Sequence, residues 1–367
     1  ITLHAHLAAP PQPAPAGTLV LNQDEINQNE GIPTHPVFVD RDLTSKLRDH
    51  QKDGILFLYR ALNIFGGAIC SDAMGLGKTL QILALVWALL STPSPDHRKY
   101  KIVVACPAGL VTNWMNECKK WLGNRLVVSV CRGTPAVTLE QLKAYLDNDN
   151  KKLLIVSYEM LRKHASLLVG RVDLLACDEG HRLKTSSSQT VQALSVLKCP
   201  RLLVSGTPIQ NNLREFYHCV NFSVPNFLGS EQYFTRQFLT PIIKGRDSGP
   251  NTPAANAGQD RLNDLIIGTQ PIILRRTNDV LAAFLPKKTE SVVYTSMTEL
   301  QITLYKAATA VILRGMELDA PILGVLQLLR YVVNDPMIVY KKMKLLEKNG
   351  TNGSSGASID DVLDEDS

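Results

Sequence analysis

An α/β fold on a doubly wound parallel sheet is what this 367-residue sequence predicts. Three observations carry the prediction. Short runs that are apolar at every position, such as "KIVVAC", "LLIVS", "LLAC" and "RLLVS", recur along the chain, and a strand apolar at consecutive positions is buried on both faces. Segments with helical spacing of apolar residues stand between these runs, the alternation that makes βαβ units. The first strand–helix junction, "AICSDAMGLGKTLQILALVWALL", carries a glycine-containing turn of the kind that receives phosphate.

The elements follow in order. Residues 1–36 hold "AAPPQPAPAG" and then the polar "NQDEINQNEG", and are expected to form a disordered leader. A globular domain is expected over 37–290. It opens on "DLTSKLRDHQKDGILFLYRALN", where Leu47, Ile55, Leu58 and Leu62 stand at near-helical spacing. "GGAICSD" reads as a strand and "KTLQILALVWALL" as its helix, with Leu80, Leu83, Ala84 and Trp87 at i, i+3, i+4 and i+7. "KIVVACP" is a strand followed by the helix "LVTNWMNECKKWL"; "LVVSVC" and "LLIVSYEM" are further strands. "DLLACDEG" is a strand, "SQTVQALSVL" a helix and "RLLVSGT" a strand. A helical, irregular insertion spans about 215–270 and contains the loop "GRDSGPNTPAANAGQD". Residues 291–347 read as helices, and 348–367, Gly/Ser-rich and then acidic, as a disordered tail.

Composition narrows the function classes. Hydrophobic residues make up 45% and charged residues 20%, an ordinary balance for a globular chain with a sizeable core. The net charge of +5 permits nucleic-acid binding without arguing for it. Seven cysteines without a C-x-x-C pair read as reduced, buried thiols of a cytosolic or nuclear protein and argue against a metal cluster. No apolar run reaches the roughly 18 residues of a membrane span, so no membrane partner is expected. The chain opens on Ile1 with no readable secretory signal, and a fragment of a longer protein is the expectation.

Three segments carry chemistry. In "DAMGLGKT", Gly75 and Gly77 allow backbone N–H groups to converge on a phosphate, aided by the positive end of the following helix. Lys78 would reach the β- and γ-phosphates and the Thr79 hydroxyl would bind Mg²⁺. A plain glycine turn between strand and helix is the bland alternative. In "LLACDEGHRLK", a buried strand delivers Asp178 and Glu179 to its carboxyl end, where ligands bind in open parallel sheets. Asp178 suits Mg²⁺ and Glu179 an attacking water, although acids at a helix start would read alike. In "LLVSGTPIQNNLREF", the strand ends in Ser205, Gly206 and Thr207, which suit γ-phosphate sensing and equally a capped helix start at Thr207 and Pro208.

The generic phosphate loop, G-x-x-x-x-G-K-[ST], has glycine where this chain has Asp72. Six segments explain the exception: "LRDHQKDGILFL", "DAMGLGKTLQ", "VVACPAGLVTNWMNE", "DEGHRLK", "LVSGTPIQNNLREFY" and "IILRRTNDVLAAFLPKK". In sequence, order and near spacing they resemble the motor core of SWI/SNF-like double-stranded-DNA translocases, ATPases of helicase superfamily two, over roughly 47–288. That family writes the loop D-E-M-G-L-G-K-T, so Asp72 fits and Ala73 is the departure. Within the family, "CPAGLVTNWMNECKKWLG", Gly180 in "DEGHRLK" and "FSVPNFLGSEQYFTRQFLTPII" are most similar to the recombination-repair branch.

The resemblance implies a RecA-like lobe with helical protrusions, using ATP and Mg²⁺. It implies that Gln51 recognises adenine; that Asp72, Gly75, Leu76, Gly77, Lys78, Thr79 and Leu80 hold the nucleotide; that Lys78, Asp178 and Glu179 are catalytic, with Thr79 and Asp178 at the metal; and that Gly206 and Thr207 couple hydrolysis to movement. Pro107, Asn113 and Trp114 would lie near one DNA strand, and Lys184, Gln210, Asn211, Arg275 and Arg276 would meet DNA or the coupling network. Scattered basic residues also fit a solvated surface. The implied activity is DNA-dependent ATP hydrolysis driving movement on duplex DNA in homologous-recombination repair, in the nucleus, with double-stranded DNA, a strand-exchange recombinase filament and nucleosomes as partners. No Q-x-x-G-R-x-x-R-like segment follows "NDPM", so the second RecA-like lobe is expected to be largely missing and the isolated chain weakly active or inactive. A non-catalytic scaffold that binds DNA or a partner is the alternative.

Overall fold

The computed structural model describes residues 13–28, 35–92, 100–150, 152–183, 189–206, 212–249, 252–281, 289–315 and 322–350. They fall into two compact units, Ile1–Leu285 and Pro286–Ser367.

In chain order, the first unit begins with β1 (Leu19–Val20), α1 (Gln23–Gln28), β2 (Phe38–Val39), α2 (Arg41–Thr44) and α3 (Asp49–Phe65). The α/β body follows: β3 (Gly67–Cys70), α4 (Lys78–Ser91), β4 (Ile102–Cys106), α5 (Val111–Leu122), β5 (Val128–Val130), α6 (Pro135–Asp147), β6 (Leu153–Ser157), α7 (Tyr158–His164), β7 (Leu174–Cys177), α8 (Gln189–Ser195) and β8 (Arg201–Val204). Then come α9 (Leu213–Ser223), α10 (Glu231–Phe234), α11 (Thr240–Asp247), α12 (Pro253–Thr269) and β9 (Ile273–Leu274). Thr235–Leu239, between α10 and α11, has π-helical backbone, where Pro241 removes a donor from the α-helical ladder.

Seven strands form one sheet in the order β5-β6-β4-β7-β8-β3-β9, and every pairing in it is parallel. The apolar runs split between the two faces with period two. Ala68, Cys70, Ile102, Val104, Leu174, Ala176, Leu202 and Val204 join α3, α4 and α5 in one core. Ile69, Val103, Ala105, Leu154, Leu175, Cys177 and Leu203 join α7, α8 and α9 in the other. Burial on both faces is why these strands read as unbroken apolar runs.

Five features depart from the expectation. The strand read over "LLIVSYEM" ends at Ser157, which caps α7 by accepting from Met160 N–H, so Tyr158–Met160 are helical. The leader is ordered over 13–28: Leu19 and Val20 pair antiparallel with Val39 and Phe38. The Asn22 amide ties that pair by donating to His35 O (2.9 Å) and accepting from Val37 N–H (2.8 Å). Residues 1–12 and 29–34 lie outside the described residues. The expected loop around "NTPAANAGQD" is instead the start of α12, with Thr252 as cap (Ala255 N–H to Oγ1, 3.1 Å) and Pro253 in the first turn, a start signal that the small polar residues hid. Helix α6 is a further element beyond those expected; Thr134 caps it and Pro135 opens it. Strand β9 has only two residues, too short for any periodicity to register, yet it borders β3.

In the second unit, α13 (Glu299–Gly315), α14 (Ile322–Asn334) and α15 (Pro336–Gly350) are helical, in line with the pattern read there. Gln301 Nε2 donates to Val333 O (2.7 Å), and Lys342 Nζ to the Tyr331 hydroxyl (3.0 Å). The tail over 351–367 lies outside the described residues. All seven cysteines are free thiols, and five are buried. Among the described residues no three His, Cys, Asp or Glu side chains form a metal-binding group, and no helix is long and apolar enough to cross a membrane.

Candidate active site

Register brings three carboxyl ends together. Cys70 of β3 stands beside Val204 of β8, and Leu203 beside Cys177 of β7. The residues that follow each strand therefore share one edge of the sheet: 71–77, 205–206 and 178–179.

The turn after β3 has the shape its glycines permit. Gly75 and Gly77 take φ of +86° and +79°, in the left-handed region. A Cβ on Gly77 would lie 2.3 Å from Gln51 Nε2, so the loop is packed on that side. Beside Gly75 nothing among the described residues lies within 4 Å of the same position, so they leave the other side open. An open cradle of backbone N–H groups at the start of a 14-residue helix fits a phosphate. Leu76 is fully buried, and its carbonyl accepts from His50 Nε2 (3.2 Å), Gln51 Nε2 (3.2 Å) and Gln81 Nε2 (3.4 Å). Gln51, expected at adenine, thus fastens the loop to α3, while its Oε1 accepts from Arg48 N–H (3.0 Å) and caps that helix. Lys78 Nζ lies back over the loop, donating to Asp72 O (2.8 Å) and Ala73 O (3.2 Å). The ammonium also sits about a van der Waals contact, 3.5 Å, from the Cβ position of Gly206. Thr79 and Leu80 follow in the first turn of α4, with Leu80 in the core.

One expectation is corrected here and another narrowed. Asp72 is expected among the nucleotide-holding residues, and Arg276 at DNA or in the coupling network; the two hold each other. Asp72 is fully buried, with Oδ2 2.6 Å from Arg276 Nη2. Its Oδ1 accepts from Arg276 Nε and from the Arg276 backbone N–H, both at 3.0 Å. Gln81 donates to Oδ2 (3.2 Å) and accepts from Arg276 Nη2 (3.0 Å), and Arg276 Nη1 donates to His50 O. The main chain runs alongside: Ser71 N–H to Leu274 O (2.7 Å) and Ala73 N–H to Arg276 O (2.8 Å) extend the β3–β9 ladder into the loop. Gly54 makes room for this cluster, since a Cβ there would lie 1.9 Å from Gln81 Oε1. Where the generic loop has glycine, this one has an anchor to a segment 204 residues away.

The second wall is Asp178 and Glu179. Asp178 N–H donates to Ala105 O (2.8 Å), which carries β7 one residue past its last strand position. Its Oδ1 accepts from Glu179 N–H (2.9 Å), and Tyr158 Oη donates to its main-chain oxygen (2.6 Å). Burial raises the Asp178 carboxyl above its ordinary value of 3.8, although hydrogen bonds from Trp114 and Glu179 favour the anion. Glu179 has φ of +52°, strained for a residue with a side chain and of the kind that persists at functional sites. Trp114 is a further correction: expected at DNA, it is buried at 1% exposure, and its Nε1 donates to Asp178 Oδ2 (2.7 Å).

The remaining candidates divide. Pro107 and Asn113 lie at the turn into α5 and on its first turns, and Asn113 is exposed. Arg275 is exposed and lines a separate cleft of about 380 Å³ with Arg246, Phe216, Leu262 and Ile266. Lys184, Thr207, Gln210 and Asn211 lie outside the described residues. Reading of the residues missed His50, Gln81 and the Trp114 donor. A buried aspartate demands a cation, but the burial of Asp72 is visible only in the fold, so no sequence signal marks Arg276.

The SNF2-related domain profile matches residues 50–338. The chain belongs to the SNF2-related domain family. This SNF2-related chain is 38% identical over 347 residues to DNA repair and recombination protein RAD54-like of Danio rerio, covering 89% of this chain and 46% of that protein. It is 39% identical over 331 residues to the protein of the same name from Homo sapiens, covering 85% and 44%. The SNF2-related chain thus spans about half the length of the curated relatives it matches. Among solved structures, the Sulfolobus solfataricus SWI2/SNF2 ATPase core in complex with dsDNA superimposes with a TM-score of 0.53 at 23% identity, over 84% of this chain and 65% of that one. That likeness establishes the RecA-like fold of the lobe.

Proposed function

We propose that this chain is the nucleotide-binding lobe of an ATP-dependent double-stranded-DNA translocase that acts in homologous-recombination repair in the nucleus. One observation carries the reading: an open phosphate cradle, a lysine and two carboxylates converge on the carboxyl edge of adjacent strands, in a family whose similar members are named for DNA repair and recombination.

The backbone N–H groups of 75–79 would bind the phosphates and Lys78 would turn from Asp72 O and Ala73 O to meet them. Thr79 and Asp178 supply hard oxygen donors that suit Mg²⁺, which neutralises phosphate charge when bound. Asp178 fits that task because, among the described residues, each of its carboxylate oxygens accepts one hydrogen bond and keeps a further lone pair. Glu179 would orient the attacking water. Asn113 and the turn at Pro107 offer a surface for duplex phosphates. A strand-exchange recombinase filament and nucleosomes are the partners that the recombination-repair reading adds.

The isolated chain is expected to bind Mg–ATP weakly and to turn it over slowly: arginine fingers raise related nucleotidases by about 10³–10⁵, and the resemblance implies that they stand on a second RecA-like lobe. Duplexes of unrelated sequence should bind it equally, with affinity falling steeply as salt rises. Phosphate release measured with and without duplex, beside a salt series of duplex binding, tests this. Vigorous DNA-stimulated hydrolysis by the isolated chain contradicts the slow turnover; binding of neither Mg–ATP nor duplex contradicts the function.

A further inference from the structure

We propose that Trp114 couples the two ligands of this lobe: duplex DNA at the start of α5 sets the position of the Asp178 carboxylate through the indole hydrogen bond. The inference rests on the reading of Asp178 as the carboxylate that serves nucleotide-bound Mg²⁺.

Helix α5 has two working sides. Val111, Trp114, Cys118 and Leu122 face the core, and Thr112, Asn113 and Asn116 face outward. The turn that enters the helix exposes Ala108 and Gly109. Arg132, from the segment between β5 and α6, donates from Nη2 to Thr112 Oγ1 (2.6 Å) and so brings an exposed guanidinium to the same outer face. Side-chain donors and a cation in one patch suit sugar–phosphate contacts, which need no base sequence. One residue after Asn113, the inner side of the helix touches the catalytic edge.

That touch is specific. Trp Nε1–H is a donor only, and here it meets one carboxylate oxygen at 2.7 Å. The indole is held by the core, so it moves with the helix and not independently of it. The other restraints on Asp178 among the described residues come from elsewhere: Oδ1 is held by its own neighbour Glu179, the main-chain oxygen by Tyr158 of α7, and the backbone N–H by Ala105 O of β4. Oδ2 is therefore the atom through which α5 acts on the carboxylate. Hydrogen-bond strength falls steeply with distance and angle, so a small displacement of α5 alters how firmly that oxygen is held. Trp114 is a positioning residue in this scheme, acting through Asp178.

Coupling between two ligands is reciprocal and measurable without turnover. The affinity of the full chain for a fluorescent ATP analogue in Mg²⁺ is measured with and without saturating duplex, in wild type and in Trp114→Phe, which keeps an aromatic ring and removes the N–H. In wild type the two affinities are expected to differ about fivefold or more. In Trp114→Phe, with its fold checked by circular dichroism, the difference should shrink to about twofold or less. A second readout is the indole ¹⁵N–¹H resonance of Trp114, assigned by its loss in Trp114→Phe; it should shift when duplex is added without nucleotide. A wild type that binds both ligands independently, a Trp114→Phe chain with undiminished coupling, or an unshifted resonance with duplex bound overturns the coupling and leaves the proposed function standing. A wild type that binds neither ligand overturns both.

Discussion

Arg276→Ala should lower the stability of the first unit by about 3–5 kcal/mol, the usual cost of leaving a buried charge without its partner. The Asp72 carboxylate is fully buried and takes three of its hydrogen bonds from Arg276, two from the guanidinium and one from the backbone. Truncation removes the first two and leaves Gln81 as the side-chain donor to that carboxylate. It also removes the donor to His50 O, so α3, α4 and β9 lose a common tie. Asp72→Asn should cost less than Arg276→Ala, because Arg276 keeps some exposure and its His50 acceptor. The double variant should be more stable than the sum of the two losses, since the partners are in contact. Urea unfolding of the four chains measures all of this. A loss of less than about 1 kcal/mol in Arg276→Ala would show that the pair does not anchor the loop.

Lys78→Ala should weaken Mg–ATP binding by about 10–100-fold, taking about 1.5–3 kcal/mol for hydrogen bonds to a charged group and about 1.4 kcal/mol per tenfold. The same change should move stability little. Among the described residues, the hydrogen bonds of Lys78 Nζ go to the carbonyls of Asp72 and Ala73, at a part-buried place. Equilibrium titration, with a melting curve of each chain, separates the two effects. Unchanged affinity would mean that Lys78 does not meet the phosphates.

What could be read beforehand was whatever leaves a local trace. Strands such as Ile102–Cys106 and Leu153–Ser157 were legible because burial on both faces forces consecutive apolar residues. The phosphate loop was legible because glycine, lysine and threonine must stand at fixed offsets. Two-residue β9 left no period, and the polar start of α12 resembled a loop because caps and turns use the same residues. The contacts that organise the site were the least legible. Asp72 and Arg276 lie 204 residues apart, and Trp114 and Asp178 64 apart, so neither pairing has a spacing to detect. Asp72 is the misfit in the generic loop, and only its burial reveals why a carboxylate stands there.

The central claim is that nucleotide phosphates rest on the backbone N–H groups of 75–79, opposite Asp178 and Glu179. Hydrogen exchange of the chain with and without saturating Mg–ATP tests it most directly. At about 100 times the dissociation constant, the amides of Gly75, Leu76, Gly77, Lys78 and Thr79 should exchange slower by up to about 100-fold, and those of Asp178 and Glu179 should also slow. Unchanged exchange across these residues with nucleotide bound, or protection confined to the cleft at Arg275, would contradict the account.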